Sequence, residues 1–339
     1  MHKLTRRAAI TAVGHYVPPR VLSNADLEKM VETTDDWIMA RTGIRERRMM
    51  DDGATSDMGA RAALAALCHR GMDPSEVELI IAATVTPDMF FPSTACLIQE
   101  KIKATKAWGF DLSAACSGFL YALVTAAQFV ETGAVRNALV VGADKMSSIT
   151  DYADRNTCVL FGDAGGAVLV EPTDDLSGGI LDHRLYCDGA GGPHLYLRAG
   201  GSLHPATHET VEKRMHYLYQ DGKAVFKVAV AGMADAAVEI MRRNGLEGKD
   251  IHWLVPHQAN LRIIDACAQR MGLEKSKVMI NIDRYGNTTA ATIPLCLSEW
   301  WESGRLRKGQ TVVLASFGAG YTWGAVLLRW EAPDRKETV

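Results

Sequence analysis

The sequence predicts an α/β protein assembled from two copies of one unit, and three observations carry that reading. Short apolar runs rich in β-branched residues alternate with longer helix-period stretches, the pattern of a sheet covered on both faces. Segments of the first half recur in order in the second, as a duplication requires. Gly71 to Ala83 (GMDPSEVELIIAA) reads like Gly245 to His257 (GLEGKDIHWLVPH), an offset of 174 (245 − 71). Glu131 to Ala143 parallels Glu302 to Phe317, and Gly166 to Glu171 parallels Gly324 to Trp330. The third observation is a shift in composition: residues from about 174 to 222 turn to Gly, His, Asp and Pro without clear periodicity. That stretch is read as a connecting insertion that lines or covers a site. The expected halves are therefore residues 1–173 and 174–339.

Taken in order, the run AAITAVGHYVPP after Arg7 fits a first strand, being too short and too interrupted for a leader or a membrane segment. Ser56 to Arg70 has helical period, and Glu78 to Thr84 is a buried strand. Cys116 to Glu131 is the next helix of interest, with Phe119, Leu120, Leu123 and Val124 along it, and Ala138 to Gly142 the following strand. The second half repeats the alternation: helix Val225 to Asn244, strand Trp253 to Val255, helix Thr288 to Glu302, strand Thr311 to Ala315.

Composition excludes several classes. With 339 residues, 47% hydrophobic and 23% charged, the chain can bury a large core. A net charge of −3 with mixed signs offers no global attraction to nucleic acid or to an anionic membrane. Seven cysteines, with no Cys-x-x-Cys and no secretory signal, argue against a disulfide framework and structural zinc and for a reducing cytoplasm. His204 and His208 have ligand-like spacing, but Pro205 lies between them and no third ligand follows, so a loop is expected. Gly318 to Gly324 (GAGYTWG) superficially matches a dinucleotide fingerprint, yet it joins two strands where that motif must open a helix. Neither a metal nor a nicotinamide is expected.

The chemistry-bearing residues sit where elements change. Cys116 follows a short apolar segment and opens a helix, where the positive end of the helix dipole favours a thiolate. His257 ends a strand, the place where α/β proteins present side chains to a crevice. Asn287 follows Gly286 at another loop-to-helix junction, where asparagine ordinarily caps a helix. It is read as the repeat counterpart of Cys116, 171 residues on (287 − 116), so the two helix starts should face one pseudo-symmetric centre.

The segments DLSAACSGF, VPHQANLRI, DRYGNTTAATIP, SFGAGYTWG and TTDDWIMARTGIRERR resemble the beta-ketoacyl-acyl-carrier-protein synthase III enzymes, a branch of the thiolase-fold condensing enzymes. The likeness runs from about Ala9 to Trp330. It implies a five-layer α-β-α-β-α sandwich and a ping-pong condensation of acyl-CoA with malonyl-acyl-carrier-protein that needs no cofactor. Cys116 would carry the acyl group, with the backbone N–H groups of Cys116 and Ala319 as oxyanion donors; many relatives have glycine at 319. His257 and Asn287 would donate to the enolate formed on decarboxylation, and Phe317 would gate the site. Trp37 and Arg155 would sandwich the adenine of CoA, Lys223 would stand beside the pantetheine arm, and Arg262, with Arg270, would receive the acidic carrier protein. Phe91 would reach across a homodimer interface to close the partner's acyl pocket. An acyltransferase or specialised condensing enzyme on the same scaffold would share all these residues. A papain-like hydrolase shares the Cys, His, Asn order but has neither this sequence around its cysteine nor an internal duplication.

Overall fold

The computed structural model describes residues 5–335. Met1 to Leu4 and Lys336 to Val339 lie outside the described residues. Nine strands build two sheets of the same topology. In the first sheet, β1 (Arg7–Tyr16), β5 (Ala164–Thr173), β4 (Ala138–Asp144), β2 (Leu79–Ala83) and β3 (Trp108–Leu112) lie side by side in that order. In the second, the order is β6 (Gly179–Cys187), β9 (Thr322–Arg329), β8 (Thr311–Gly318) and β7 (Trp253–Pro256). In both sheets the first two pairings are antiparallel and the next is parallel. The fifth place in the second sheet is reduced to a single parallel bridge between Leu254 and Val278.

Helices complete the layers. The outer face of the first sheet packs on α2 (Thr55–Arg70) and α3 (Thr94–Ile102), through Ile80, Ala82 and Val141. The outer face of the second packs on α5 (Gly222–Arg243) and α6 (Leu261–Arg270), through Val313, Ala315 and Phe317. Between the sheets lie α4 (Gly118–Thr132) and α7 (Thr292–Glu302), in a core that takes Leu79, Ile81 and Ala83 from one sheet and Val312 and Leu314 from the other. Alternate residues of one strand thus enter different cores, as the period of two demands of a strand covered on both sides. The result is the thiolase-like five-layer sandwich. Between β1 and α2 lies α1 (Asp35–Thr42), capped by Thr34 and ended at Gly43 with φ of 81°.

Two expectations are corrected. The range 174–222 is more than a connection, because β6 within it is an edge strand of the second sheet, paired with β9 and equivalent to β1 of the first. Its burial is mostly intermediate, so it shows neither a continuous apolar run nor a clean alternation. The second correction concerns the repeat. Cys116 lies in a three-residue 3-10 turn, Ala115–Ser117, just before α4, and the matching turn before α7 is Thr289–Ala291. Ala115 and Thr289 both have left-handed φ, 47° and 49°, which fixes the offset at 174 (289 − 115). The counterpart of Cys116 is therefore Ala290; Asn287 matches Ser113, and His257 matches Ala83.

The two halves come close together at these turns. A Cβ added to Gly142 would lie 2.3 Å from the Ala290 carbonyl oxygen, so only glycine admits the second half at that point. Gly142→Ala is expected to cost about 1–3 kcal/mol through overpacking and to lower Tm. Gly222→Ala, whose Cβ meets nothing within 4 Å, should leave Tm unchanged. Matched thermal melts of the two variants check this; equal melting would refute the close crossing.

Candidate active site

A cavity of about 480 Å³ runs into the junction of the halves, and Cys116, His257 and Asn287 all line it, as do Phe317 and Ala319. Of the seven cysteines, all free, Cys116 alone lines this cavity. Each residue is placed by its own element. The Cys116 turn is sewn to the second half: Ser316 Oγ donates to the Cys116 carbonyl at 2.8 Å, Thr322 Oγ1 to the Ala114 carbonyl at 2.8 Å, and Ser117 Oγ to the Thr322 carbonyl at 3.0 Å. Gly318 runs so close that a Cβ there would meet the Cys116 amide nitrogen at 2.7 Å. Ala319, the next residue, is not among those with positive φ, so alanine sits there without strain.

His257 leaves the end of β7, its N–H donating to the Ala315 carbonyl at 2.8 Å. Its Nδ1 lies 2.8 Å from Thr292 Oγ1, and its buried Nε2 has no partner among the described residues. Asn287 is clamped by its backbone, its N–H donating to the Leu160 carbonyl at 2.9 Å and its carbonyl accepting from Gly162 N–H at 3.1 Å. The carboxamide Oδ1 accepts from Thr289 N–H at 2.9 Å, so the capping role expected of asparagine uses the oxygen and leaves the amide N–H groups for the cavity.

Behind these residues lies a group the sequence reading missed. Asp144, fully buried at the end of β4, accepts from Thr84 Oγ1 (2.9 Å), Val85 N–H (2.8 Å), Thr86 N–H (3.1 Å) and Thr86 Oγ1 (3.0 Å) in the first half. From the second half it accepts from Thr289 Oγ1 and, at 3.4 Å, Ala290 N–H. A lone aspartate ending an apolar strand gives no sequence signal of this role, because its donors lie 58 to 146 residues away.

Burial dominates the electrostatics. It pushes the Cys116 thiol up to about 12, and the nearby Asp144 carboxylate adds to the rise; the Cys116 amide and the Asn287 carboxamide oppose it. The expectation of a resting thiolate is thus corrected. A helix terminus contributes roughly 0.3–2 kcal/mol, less than the several kcal/mol that desolvating a fully buried charge costs. Burial likewise depresses His257 to about 3, keeping the imidazole neutral.

The outlying residues are placed as follows. Trp37 and Arg41 line the cavity. The guanidinium groups of Arg41 and Arg155 lie 4.3 and 4.8 Å from the centre of the Trp37 ring. The slot expected between Trp37 and Arg155 is therefore closed, since an interposed ring needs two gaps of about 3.5 Å each. Lys223 lines the cavity from the first turn of α5. Arg262 is exposed near the start of α6, over Phe226 at 4.9 Å. Arg270, grouped above with Arg262, is paired with Asp235. Phe91 is 84% exposed and does not line this chain's cavity.

The duplicated sandwich with a cysteine of one half facing a histidine and an asparagine of the other defines a thiolase-fold condensing enzyme. The family models for 3-oxoacyl-[acyl-carrier-protein] synthase III match residues 110–189, and those for its C-terminal part match residues 241–330. A beta-ketoacyl-[acyl-carrier-protein] synthase III of Chlorobium luteolum is 58% identical over 96% of this chain and 99% of its own. The crystal structure of 3-oxoacyl-[acyl-carrier-protein] synthase III from Aquifex aeolicus superposes with a TM-score of 0.88 at 43% identity, covering 95% of this chain and 100% of that one. A priming beta-ketosynthase from a polyketide pathway gives 0.89 at 36% identity, covering 98% and 99%. The chain belongs to the beta-ketoacyl-[acyl-carrier-protein] synthase III family.

The depressed pKa of His257 predicts a signature in stability. Between the unfolded value near 6.5 and about 3, the unfolded chain binds a proton that the native ring refuses, so stability falls as pH falls through that window. The slope contributed is at most about 1.4 kcal/mol per pH unit, and nothing is contributed above the unfolded value. Urea midpoints of wild type and His257→Asn, compared from about pH 7 down to about pH 5, should diverge, the variant losing less stability. Parallel curves would refute the assignment.

Proposed function

We propose that the chain starts fatty acid synthesis by condensing an acyl-CoA starter, acetyl or short branched, with malonyl-acyl-carrier-protein through an acyl-Cys116 intermediate. The observation that carries this reading is the convergence of Cys116, His257 and Asn287 on one cavity, with His257 Nε2 free of partners among the described residues. Cys116 sulfur attacks the thioester carbonyl; the C–S bond forms as the S–H bond breaks, and CoA departs as the thiol with that proton. The backbone N–H groups of Cys116 and Ala319 hold the transient oxyanion. Malonyl thioester then loses carbon dioxide. The resulting enolate oxygen is held by His257 and Asn287 while its carbon attacks the acyl group, and the Cys116 thiolate leaves. Two neutral donors suit this step, because an anionic group would repel the developing charge. Phe317 walls the cavity against water. The reaction uses carbon dioxide loss as its driving step and calls on no resident cofactor.

Trp37 and Arg155 would receive the adenine once it parts them, and Lys223 would lie along the pantetheine arm. Arg262, exposed over the Phe226 ring that lines the cavity, would meet an acidic carrier protein. A homodimer is supported by β3, a partly exposed edge strand with Trp108 49% exposed, and by Phe90 and Phe91, 79% and 84% exposed. In that dimer Phe91 would close the partner's acyl pocket. No described helix is long and apolar enough to cross a membrane, and we assign the protein to the cytoplasm. The likeness to a polyketide priming enzyme favours a second reading, a specialised condensing enzyme. Carbon dioxide release from malonyl-acyl-carrier-protein across a panel of acyl-CoA starters, with the acylated residue located by mass spectrometry, tests the proposal; acylation away from Cys116 overturns it.

Two expected outcomes follow from the roles. Cys116→Ala should abolish acyl-enzyme, whereas His257→Ala and Asn287→Ala should still acylate Cys116 yet lose roughly a hundred- to a thousandfold in condensation. Near wild-type condensation in Asn287→Ala would reduce it to a cap. Arg262→Glu should raise KM for the carrier substrate and flatten its salt dependence while acylation from CoA changes little. Paired kinetics at low and high ionic strength read this out, and equal losses in both half-reactions at every salt concentration would rule against carrier docking at Arg262.

A further inference from the structure

A neutral imidazole carries one ring hydrogen, and which nitrogen holds it decides whether the other donates or accepts. His257 lines the cavity and its buried Nε2 has no partner among the described residues, so nothing at that end fixes the hydrogen. The other end has one partner. Nδ1 meets Thr292 Oγ1 at 2.8 Å, inside the buried junction at the first residue of α7. Thr292 has one hydroxyl hydrogen and two directions for it: Nδ1, or the Thr289 carbonyl at 3.1 Å. That carbonyl already accepts the backbone N–H of Thr292, and the approach to Nδ1 is the shorter.

We propose that Thr292 is a positioning residue for the condensation step, its hydroxyl donating to His257 Nδ1 so that Nε2 carries the ring hydrogen and offers it to the substrate oxygen. The proposal rests on the reading above, in which His257 stabilises the malonyl enolate. It also divides the labour of the site. A ring with hydrogen on Nε2 and an occupied Nδ1 is no base for the Cys116 thiol, so the thiol proton passes to the departing CoA sulfur and acylation proceeds without His257. Burial keeps the ring from charging, so the tautomer is the one variable left to control its donor capacity. The second half thereby supplies both the donor and the residue that orients it, 35 positions apart.

The test uses the full-length enzyme labelled with nitrogen-15 histidine, the His257 ring signals being assigned by their loss in His257→Asn. Wild type should show the hydrogen on Nε2; a hydrogen on Nδ1 overturns the proposal whatever the kinetics. Thr292→Val keeps the volume and removes the donor. Its condensation kcat should fall about tenfold to a hundredfold, short of the full loss of an oxyanion donor, with Cys116 acylation changed by less than about threefold. Thr292→Ser should restore condensation to within about threefold of wild type. Wild-type condensation in Thr292→Val, or equal loss in Thr292→Val and Thr292→Ser, overturns the proposal alone. Normal condensation in His257→Asn overturns the reading beneath it as well. If Thr292→Val fails to fold, the wild-type spectrum and the rate of Thr292→Ser still decide.

Discussion

The buried carboxylate of Asp144 is the constraint on which the site depends. A carboxylate without donors in the interior would cost many kcal/mol, so its burial requires the loop Thr84 to Thr86 and the turn Thr289 to Ala290 to be present together around it. One loop belongs to the first half and the turn to the second. The same turn gives Asn287 its orientation, through Thr289 N–H, and leads into the helix that carries Thr292. Satisfying one acid therefore fixes the register of the two halves, and with it the spacing of cysteine, asparagine and histidine.

That arrangement has an electrostatic cost. Asp144 sits near enough to raise the Cys116 thiol further, beyond what burial does. The resting site is neutral at both working groups, with the thiol protonated and the imidazole uncharged. Charge enters only with the reaction, first on the thioester oxygen and then on the enolate, and the donors are arranged around those positions in a setting of low dielectric where each is worth more than in water. A pre-formed ion pair would add charge near the growing enolate; a neutral site avoids it.

Duplication explains the division of roles. At equivalent positions, one half has Cys116 where the other has Ala290, and one has His257 where the other has Ala83. Each of these reactive side chains thus has a small residue at the equivalent position of the other half, and neither Ala290 nor Ala83 lines the cavity. The close approach of Gly142 to Ala290, and of Gly318 to Cys116, is what small or absent side chains at the crossing permit.

The sequence by itself determined the alternation of strands and helices, the duplication, and Cys116 and His257 as candidates at element ends, because hydrophobic period and the residue types at strand and helix ends are local signals. Asn287, a helix cap by residue type, was singled out by a correspondence with Cys116 that the fold moved to Ala290. The tertiary structure decided the rest. It set the repeat register at 174 and so paired Cys116 with Ala290, placed β6 in the second sheet although its half-buried residues carry no period, and closed Arg155 onto Trp37. It also raised the Cys116 thiol where the helix start alone suggests a lowered one. These depend on contacts such as Ser316 to Cys116, 200 residues apart, and on how completely water is excluded, and neither quantity is written in any single stretch of the chain.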